Sequence, residues 1–393
     1  MNPVPLFLII VTLPLLLGSV CNAELRTWTS TVGTKVEAEL VSLTGNQVTL
    51  KTKAGKTIKL PINKLSKADQ EFLTAKSSPK EATKEEAPVS PNLEYELKGD
   101  AVTITRCDRE ASGALTIPAV IEGKPVTRIG VNSLGLGAFW GCKSLTSITI
   151  PDSVTSIGKS AFYNCASLTS ITIGNGVTSI GDGAFSGCTG LTTFEVGSGN
   201  ENYTGVNGVL FNNRQEKTTL HTYPARKTDA TYKIPEGVTS IGQAAFDGCS
   251  NLTSITIPDS VTSIGRSAFR GCKILSSITI PDNVTSIGNF AFVFCDSLTS
   301  ITIGDNVISI GQQAFRFYRG LTSITIPDSV TSIGLSAFFE CANLTAVTFL
   351  GDAPKAGEGV FKGATPTIYR KPEAEGWGDT WGGRPVKLIG EKP

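Results

Sequence analysis

The sequence predicts a mainly β protein in which a solenoid of 23-residue repeats follows a small antiparallel β-barrel. Three observations carry this. From Leu145 to Leu344 one phrase recurs at a fixed period: Leu145-Thr-Ser-Ile148-Thr-Ile150-Pro151-Asp-Ser-Val154-Thr-Ser-Ile157-Gly158-Lys-Ser-Ala161-Phe162-Tyr-Asn-Cys165, and again from Leu168. A fixed period of this length marks units that bury their apolar face against the next copy rather than in a globular core. Residues 24–75 instead alternate apolar and polar at period two, and residues 76–92 have no apolar period at all.

Residues 1–23 read as a secretory signal. Leu6 to Leu17 form an apolar core interrupted by Pro14, and Cys21-Asn22-Ala23 puts small residues where signal peptidase cuts, so cleavage is expected near Ala23. The leader carries no Lys or Arg before the apolar run, which is too short and broken for a comfortable bilayer span. No stable membrane span is expected in the mature chain, and the expected location is secreted, periplasmic or at the cell surface.

In residues 24–75, Val36, Ala38 and Leu40, then Val48 and Leu50, then Ile58 and Leu60 are apolar positions two apart, separated by Thr44-Gly45-Asn46 and Ala54-Gly55-Lys56. That is a small antiparallel sheet or barrel. Ser66-Lys-Ala-Asp69 then opens a short helix with Phe72 and Leu73 packing back. Residues 76–92, rich in Pro, Lys and Glu, form a flexible linker to the solenoid at 93–393.

The solenoid begins with an atypical cap at 93–141, where Tyr95, Leu97, Val102, Ile104, Leu115, Ile117, Val126 and Ile129 follow the pattern loosely. An insertion at 192–235 carries Tyr203, Val206, Val209-Leu210-Phe211, Leu220, Tyr223 and Tyr232-Lys-Ile234, whose alternation predicts added strands. After Leu344 the pattern decays into a cap at 345–393 with Phe349, Phe361, Trp377 and Trp381, which would shield the open edge of the last coil. One repeat orders too many residues for the apolar surface it buries, so the copies must stack.

Of nine cysteines, seven (Cys142, Cys165, Cys188, Cys249, Cys272, Cys295 and Cys341) occupy one repeat position, where another copy has Tyr318. They are expected to stack as small buried hydrophobes with free thiols. Cys107 lies outside this ladder.

Charge excludes one partner class. Lys plus Arg number 35 against 34 Asp plus Glu, without a long basic block, so no nucleic acid is expected. Enzymatic motifs are absent: the single histidine, His221, lies in the insertion, and there is no His-Glu-x-x-His, Cys-x-x-Cys, phosphate loop or nucleophile elbow. No cofactor and no metal are expected, and the chain reads as no enzyme. Asp152, Asp259, Asp282, Asp305 and Asp328 recur at one turn position; one carboxylate per coil makes a poor calcium cage, and Asp after Pro is good turn chemistry.

Two rows face outward. Thr149, Thr172, Thr256, Thr279, Thr302 and Thr325, each flanked by a Ser two residues earlier, form a hydroxyl ladder with spacings of about 6.7 Å along the strand and 4.8 Å between coils. That regularity makes ice or crystalline-surface binding a distant alternative to simple strand propensity. After each Ala-Phe the next two residues vary, and several are aromatic near the surface: Trp140, Tyr163, Phe294, Phe317 and Phe339 are the ligand-binding candidates.

The phrase Leu-x-x-Ile-x-Ile-Pro-x-x-Val-x-x-Ile-Gly-x-x-Ala-Phe-x-x-Cys resembles the BspA type of leucine-rich repeat, over about 300 residues. Residues 24–75 resemble the Sla-type homology domain through Arg26, Trp28, Gly33, Val36-Glu37-Ala38-Glu39, Val48, Leu50, Gly55-Lys56, Leu65-Ser66, Asp69 and Phe72; Thr29 stands where that family usually has an acidic residue. The first resemblance implies adhesion or attachment to a protein or polysaccharide ligand, the second a small protein-binding fold. A self-associating structural envelope component is the alternative.

Overall fold

The computed structural model describes residues 26–44, 47–77, 93–213 and 218–390. The secretory signal expected at 1–23 and the stretch 78–92 lie outside the described residues. The chain divides into two units, 1–85 and 86–393.

In the first unit, alternating residues make an antiparallel meander of β1 (Arg26–Thr29), β2 (Lys35–Thr44), β3 (Gln47–Thr52) and β4 (Thr57–Pro61), in that spatial order. Trp28, Ala38, Val48 and Leu50 point to one face and meet Leu65 and Leu73 there. Past β4 the chain returns to the free edge of β1. The Thr31 N–H donates to the Lys64 carbonyl (3.0 Å) and the Ser66 N–H to the Thr29 carbonyl (2.7 Å), pairing an edge that would otherwise be open.

Helix α1 (Lys67–Ser77) then runs two residues beyond position 75. Its start is tied to β1 by Asp69, 3% exposed, whose carboxylate accepts from the Thr29 N–H (2.7 Å), the Ser66 hydroxyl (2.9 Å) and the Arg26 guanidinium (2.7 Å). Burial pushes this carboxyl up, but the three hydrogen bonds outweigh it and hold it below the usual range.

In the second unit each regular coil contributes a strand from Ser-Ile-Thr-Ile and a two-residue strand from Ser-Ile, stacked in parallel, with register shifts where the array meets the cap and the insertion. Ser147 pairs with Ser170 and Thr149 with Thr172, while Ser156 pairs with Ser179 and Ile157 with Ile180. Ile148, Ile150, Val154, Ile157, Ala161, Phe162, Cys165 and Leu168 are all buried. Phenylalanine forms a continuous internal stack: Phe246, Phe269, Phe292, Phe315, Phe338 and Phe361 follow at centroid spacings of 5.2, 5.1, 5.6, 5.1 and 5.4 Å.

The cysteine ladder holds free thiols, and it has a bonding role beyond packing. Five of the seven thiols donate to the carbonyl of the preceding coil's phenylalanine: Cys165 to Phe139 (3.0 Å), Cys188 to Phe162 (3.0 Å), Cys272 to Phe246 (3.3 Å), Cys295 to Phe269 (3.1 Å) and Cys341 to Phe315 (3.1 Å). A small weak donor thereby satisfies a buried acceptor in these coils, whereas Tyr318, at the same position, leaves its buried hydroxyl without a partner among the described residues. Cys107 lies at the end of the cap strand Ala101–Cys107, buried beside Cys142 at the head of the ladder.

Two repeated small residues also clamp coils together. A methyl carbon at Gly288, Gly311 or Gly334 would lie 2.5–2.6 Å from backbone of the preceding coil, so the Ile-Gly pair lets neighbouring chains touch. The hydroxyl residue after the leucine donates to the carbonyl at the same position one coil earlier in most coils, as Thr169 does to Thr146 (2.9 Å) and Thr345 to Thr322 (3.1 Å).

The insertion is partly a coil in disguise. Thr193–Val196 still pairs with Ser170–Ile173, and the added antiparallel hairpin is Tyr203–Val206 against Val209–Asn212. Val209 and Phe211 join the core of the downstream coils, whereas Leu210 between them joins the upstream core, so the hairpin fills both. Thr218–Thr222 then enters the short-strand sheet beside Val238–Ile241; Leu220 stands in register with Ile241, and Tyr223 stacks on Phe246 at 5.3 Å. At the far end Trp377 and Trp381 pack on Phe349, each at 4.9 Å.

Candidate functional site

Between Ala-Phe and Cys the chain turns through two residues, and the second is left-handed in every regular coil. Its φ is 77° at Gly141, 61° at Asn164, 72° at Gly271, and still 61° at Phe294, 59° at Phe317 and 57° at Glu340. Stacking imposes this. The amide of that residue donates to a carbonyl in the next coil, as from Gly141 to Tyr163 (2.8 Å), Gly271 to Val293 (2.8 Å) and Phe317 to Phe339 (2.9 Å). Glycine or asparagine accepts the conformation readily; a phenylalanine there costs about 1–2 kcal/mol. Burial does not repay that cost at Phe294, which is 45% exposed.

The five aromatic candidates fall into two groups. Trp140 and Tyr163 stack at 6.1 Å and 8°. Phe294 and Phe317 stack at 5.2 Å and 10°, with Phe339 edge-on to Phe317 at 5.8 Å. Each group holds an arginine that sequence reasoning did not single out: Arg109 lies 4.9 Å from the Trp140 ring, and Arg316 lies 4.5 and 4.9 Å from Phe317 and Phe339.

Between the groups is a second pair that was missed. Arg270 and Asp247 occupy one repeat position in successive coils and bond bidentately, Nε to Oδ1 at 2.8 Å and Nη2 to Oδ2 at 2.6 Å. The same Asp247 oxygen accepts the Gly187 N–H at 3.1 Å, replacing the carbonyl that a regular coil would have offered. Hydrogen bonding to Asp247 holds the half-buried guanidinium charged against the cost of burial. Two shallow depressions flank this pair's row: one of about 440 Å³ beside Arg109, Trp140, Gly141 and Lys143, and one of about 360 Å³ among Asp247, Arg270, Gly271, Lys273, Phe294 and Asp296.

The hydroxyl ladder lies on the long strands, away from the aromatic turns. Thr149, Thr256, Thr279, Thr302 and Thr325 are exposed and outward; Thr172 is half-buried and donates to Glu195 (3.3 Å). Glu195 and Lys233 take the ladder position on the two sides of the insertion, which splits the row. The aspartate row links successive coils: Asp152 accepts the Asn175 N–H at 2.6 Å and Asp282 the Asp305 N–H at 3.1 Å, each from one period ahead. Among the described residues no three His, Cys, Asp or Glu side chains gather as a metal cage, and no helix is long and apolar enough to cross a membrane.

His221 packs edge-on against Phe185 (6.1 Å) and Tyr203 (6.0 Å) at the seam between the two cores, with Nδ1 2.8 Å from the Thr222 hydroxyl. Burial pushes it down to about 4. A depressed imidazole stays neutral in the folded chain while the unfolded chain protonates near pH 6.5, so its stability contribution is full above that value and is lost as pH falls towards 4. Acidification from pH 7 to 4.5 is expected to destabilise the seam by about 2 kcal/mol. Hydrogen exchange around residues 203–223 should show this, and His221→Gln should flatten the dependence.

Residues 126–228 and 239–367 match the BspA type leucine rich repeat region in 6 copies, and residues 21–80 match SLA1 homology domain 1. No curated protein matches the chain. Among solved structures, a leucine-rich repeat protein from Bacteroides ovatus is 24% identical with a TM-score of 0.47, covering 76% of this chain and 75% of that one. One from Eubacterium ventriosum is 26% identical, TM-score 0.43, over 70% and 94%; the pneumococcal vaccine antigen PcpA is 19% identical, TM-score 0.45, over 72% and 93%. With more than half of its length inside the family's repeats, and with an SLA1 homology domain 1 ahead of them, the chain belongs to the BspA-type leucine-rich repeat family.

Proposed function

We propose that this chain is an exported, non-catalytic binding protein, placed at the cell surface or in the envelope, whose solenoid holds a protein or polysaccharide ligand on the turns after Ala-Phe. The observation that carries it is Phe294 beside Phe317: two large apolar side chains on left-handed backbone that the preceding coils give to glycine at Gly248 and Gly271, one of them 45% exposed. Strain without burial is spent where a surface has a use for the side chain. The leader supports export, and the lone histidine is a neutral packing group.

The test is saturable binding of the mature chain to purified surface proteins and envelope polysaccharides of the producing cell. Binding of one of them that is lost in the double variant Phe294→Asn/Phe317→Gly, at unchanged Tm, is the expected result. Oligomers that grow with concentration in gel filtration, without such binding, would assign the chain to self-association instead. The in-register hydroxyls of Thr279 and Thr302, with Thr256 and Thr325 exposed at the same repeat position, favour a second reading, adsorption to ice or another crystalline surface, and thermal hysteresis of the purified chain would establish it.

A further inference from the structure

We infer that the depression beside Phe294 is a saccharide subsite that takes one ring of a neutral hexose polymer; this rests on the reading above that the turns after Ala-Phe form the binding face. Phe317 covers one face of the Phe294 ring. On the other side the neighbouring coil has Gly271 at the same position, which puts up no side chain, so that ring face opens onto the 360 Å³ depression. The C–H-rich face of a pyranose is the ligand surface that stacks on such a ring, because the ring's negative face meets weakly positive C–H groups.

The rest of the lining selects within that class. Asp247 and Arg270 neutralise each other in their bidentate pair, which leaves Lys273 as the free base and Asp296 as the free carboxylate of the lining, one of each sign. An anionic chain would meet the Asp296 carboxylate and a cationic one the Lys273 ammonium, whereas neighbouring ring hydroxyls can donate to the first and accept from the second. The bidentate pair with Asp247 fixes Arg270, and stacking on Phe317 supports Phe294, so both are set before a ligand arrives. Sequence variation within the array agrees: the coil with Gly271 directly precedes the two that replace glycine by phenylalanine, which gives the row one open ring face rather than several.

The experiment is native affinity electrophoresis of the mature chain in gels containing hydroxyethylcellulose, soluble β-1,3-glucan or galactomannan, with alginate and heparin as polyanions. Retardation in at least one neutral gel is expected, about tenfold weaker for Phe294→Asn and reduced for Asp296→Ala. Phe294→Asn keeps the left-handed turn as Asn164 does, so its Tm should not fall; Phe317→Gly, which removes the supporting ring, is the second variant and should also weaken retardation. Retardation that Phe294→Asn and Phe317→Gly leave unchanged overturns the subsite while sparing the broader binding reading. Retardation only by the polyanions, or by no polysaccharide, overturns it too, and a protein ligand found in the preceding experiment would then stand alone.

Discussion

Gly311→Val will cost about 3 kcal/mol or more and will cut the solenoid's cooperativity at that coil. A first methyl carbon at Gly311 would stand 2.6 Å from the Asn289 nitrogen and the Gly288 carbonyl carbon, both backbone atoms of the preceding coil. Neither can rotate away, so the two coils must part, and parting them also weakens the hydrogen bond from the Gly311 N–H to the Ile287 carbonyl (2.9 Å). The φ of Gly311 is ordinary, so the effect is contact alone. Gly271 makes the control: it is left-handed, but the nearest atom to a methyl carbon there is 3.6 Å away, and Gly271→Asn should therefore cost little, as Asn164 already shows in another coil. Chemical denaturation of the two variants checks the contrast. Equal losses at both positions would mean that these glycines serve backbone conformation and not coil contact.

Much of this fold was legible because the same physical problem is solved repeatedly in one chain. Ile148, Ile150, Val154 and Ile157 read as inward positions from their spacing, and they are inward. The internal coil at Leu220–Tyr223 was not legible as one, since it compresses the usual Ile-Gly-x-x-Ala-Phe by two residues, and only parallel pairing with Val238–Ile241 exposes it. Cys107 could not be placed for a related reason: the cap strand that carries it lacks the period and meets the ladder only in space.

The site was half legible. Aromatics after Ala-Phe could be found by comparing copies, though only Phe294 is exposed and the other four are half-buried; their grouping could not, because Trp140, Tyr163 and Phe339 take the first turn position and Phe294 and Phe317 the second. A signal was present all the same. Gly141, Asn164, Gly187, Gly248 and Gly271 in one column announce a left-handed backbone, against which Phe294 stands out as strained. The pair Asp247 and Arg270, one period apart, was likewise a sequence-readable contact between adjacent coils.

Phe292→Ala should be costlier still, at about 3–5 kcal/mol. Phe292 is fully buried and has a ring on both sides, Phe269 at 5.1 Å and Phe315 at 5.6 Å, so truncation removes two stacking contacts and leaves a void bounded by rigid coils. In a globular core, neighbours relax into part of such a cavity. Here the spacing of the rings is fixed by backbone bonds such as Phe292 N–H to the Ala314 carbonyl (2.8 Å), which limits collapse. Because each coil touches only its neighbours, the loss should act as a weakened interface and not as uniform destabilisation. Hydrogen exchange should then accelerate most in coils adjoining residue 292, with the cap at 93–141 little changed. Phe139→Ala, at the head of its stack with a ring neighbour only at Phe162, 4.9 Å away, is the comparison. Its smaller expected loss follows from one stacking contact instead of two, and equal losses would show that the stack adds nothing beyond the burial of each ring.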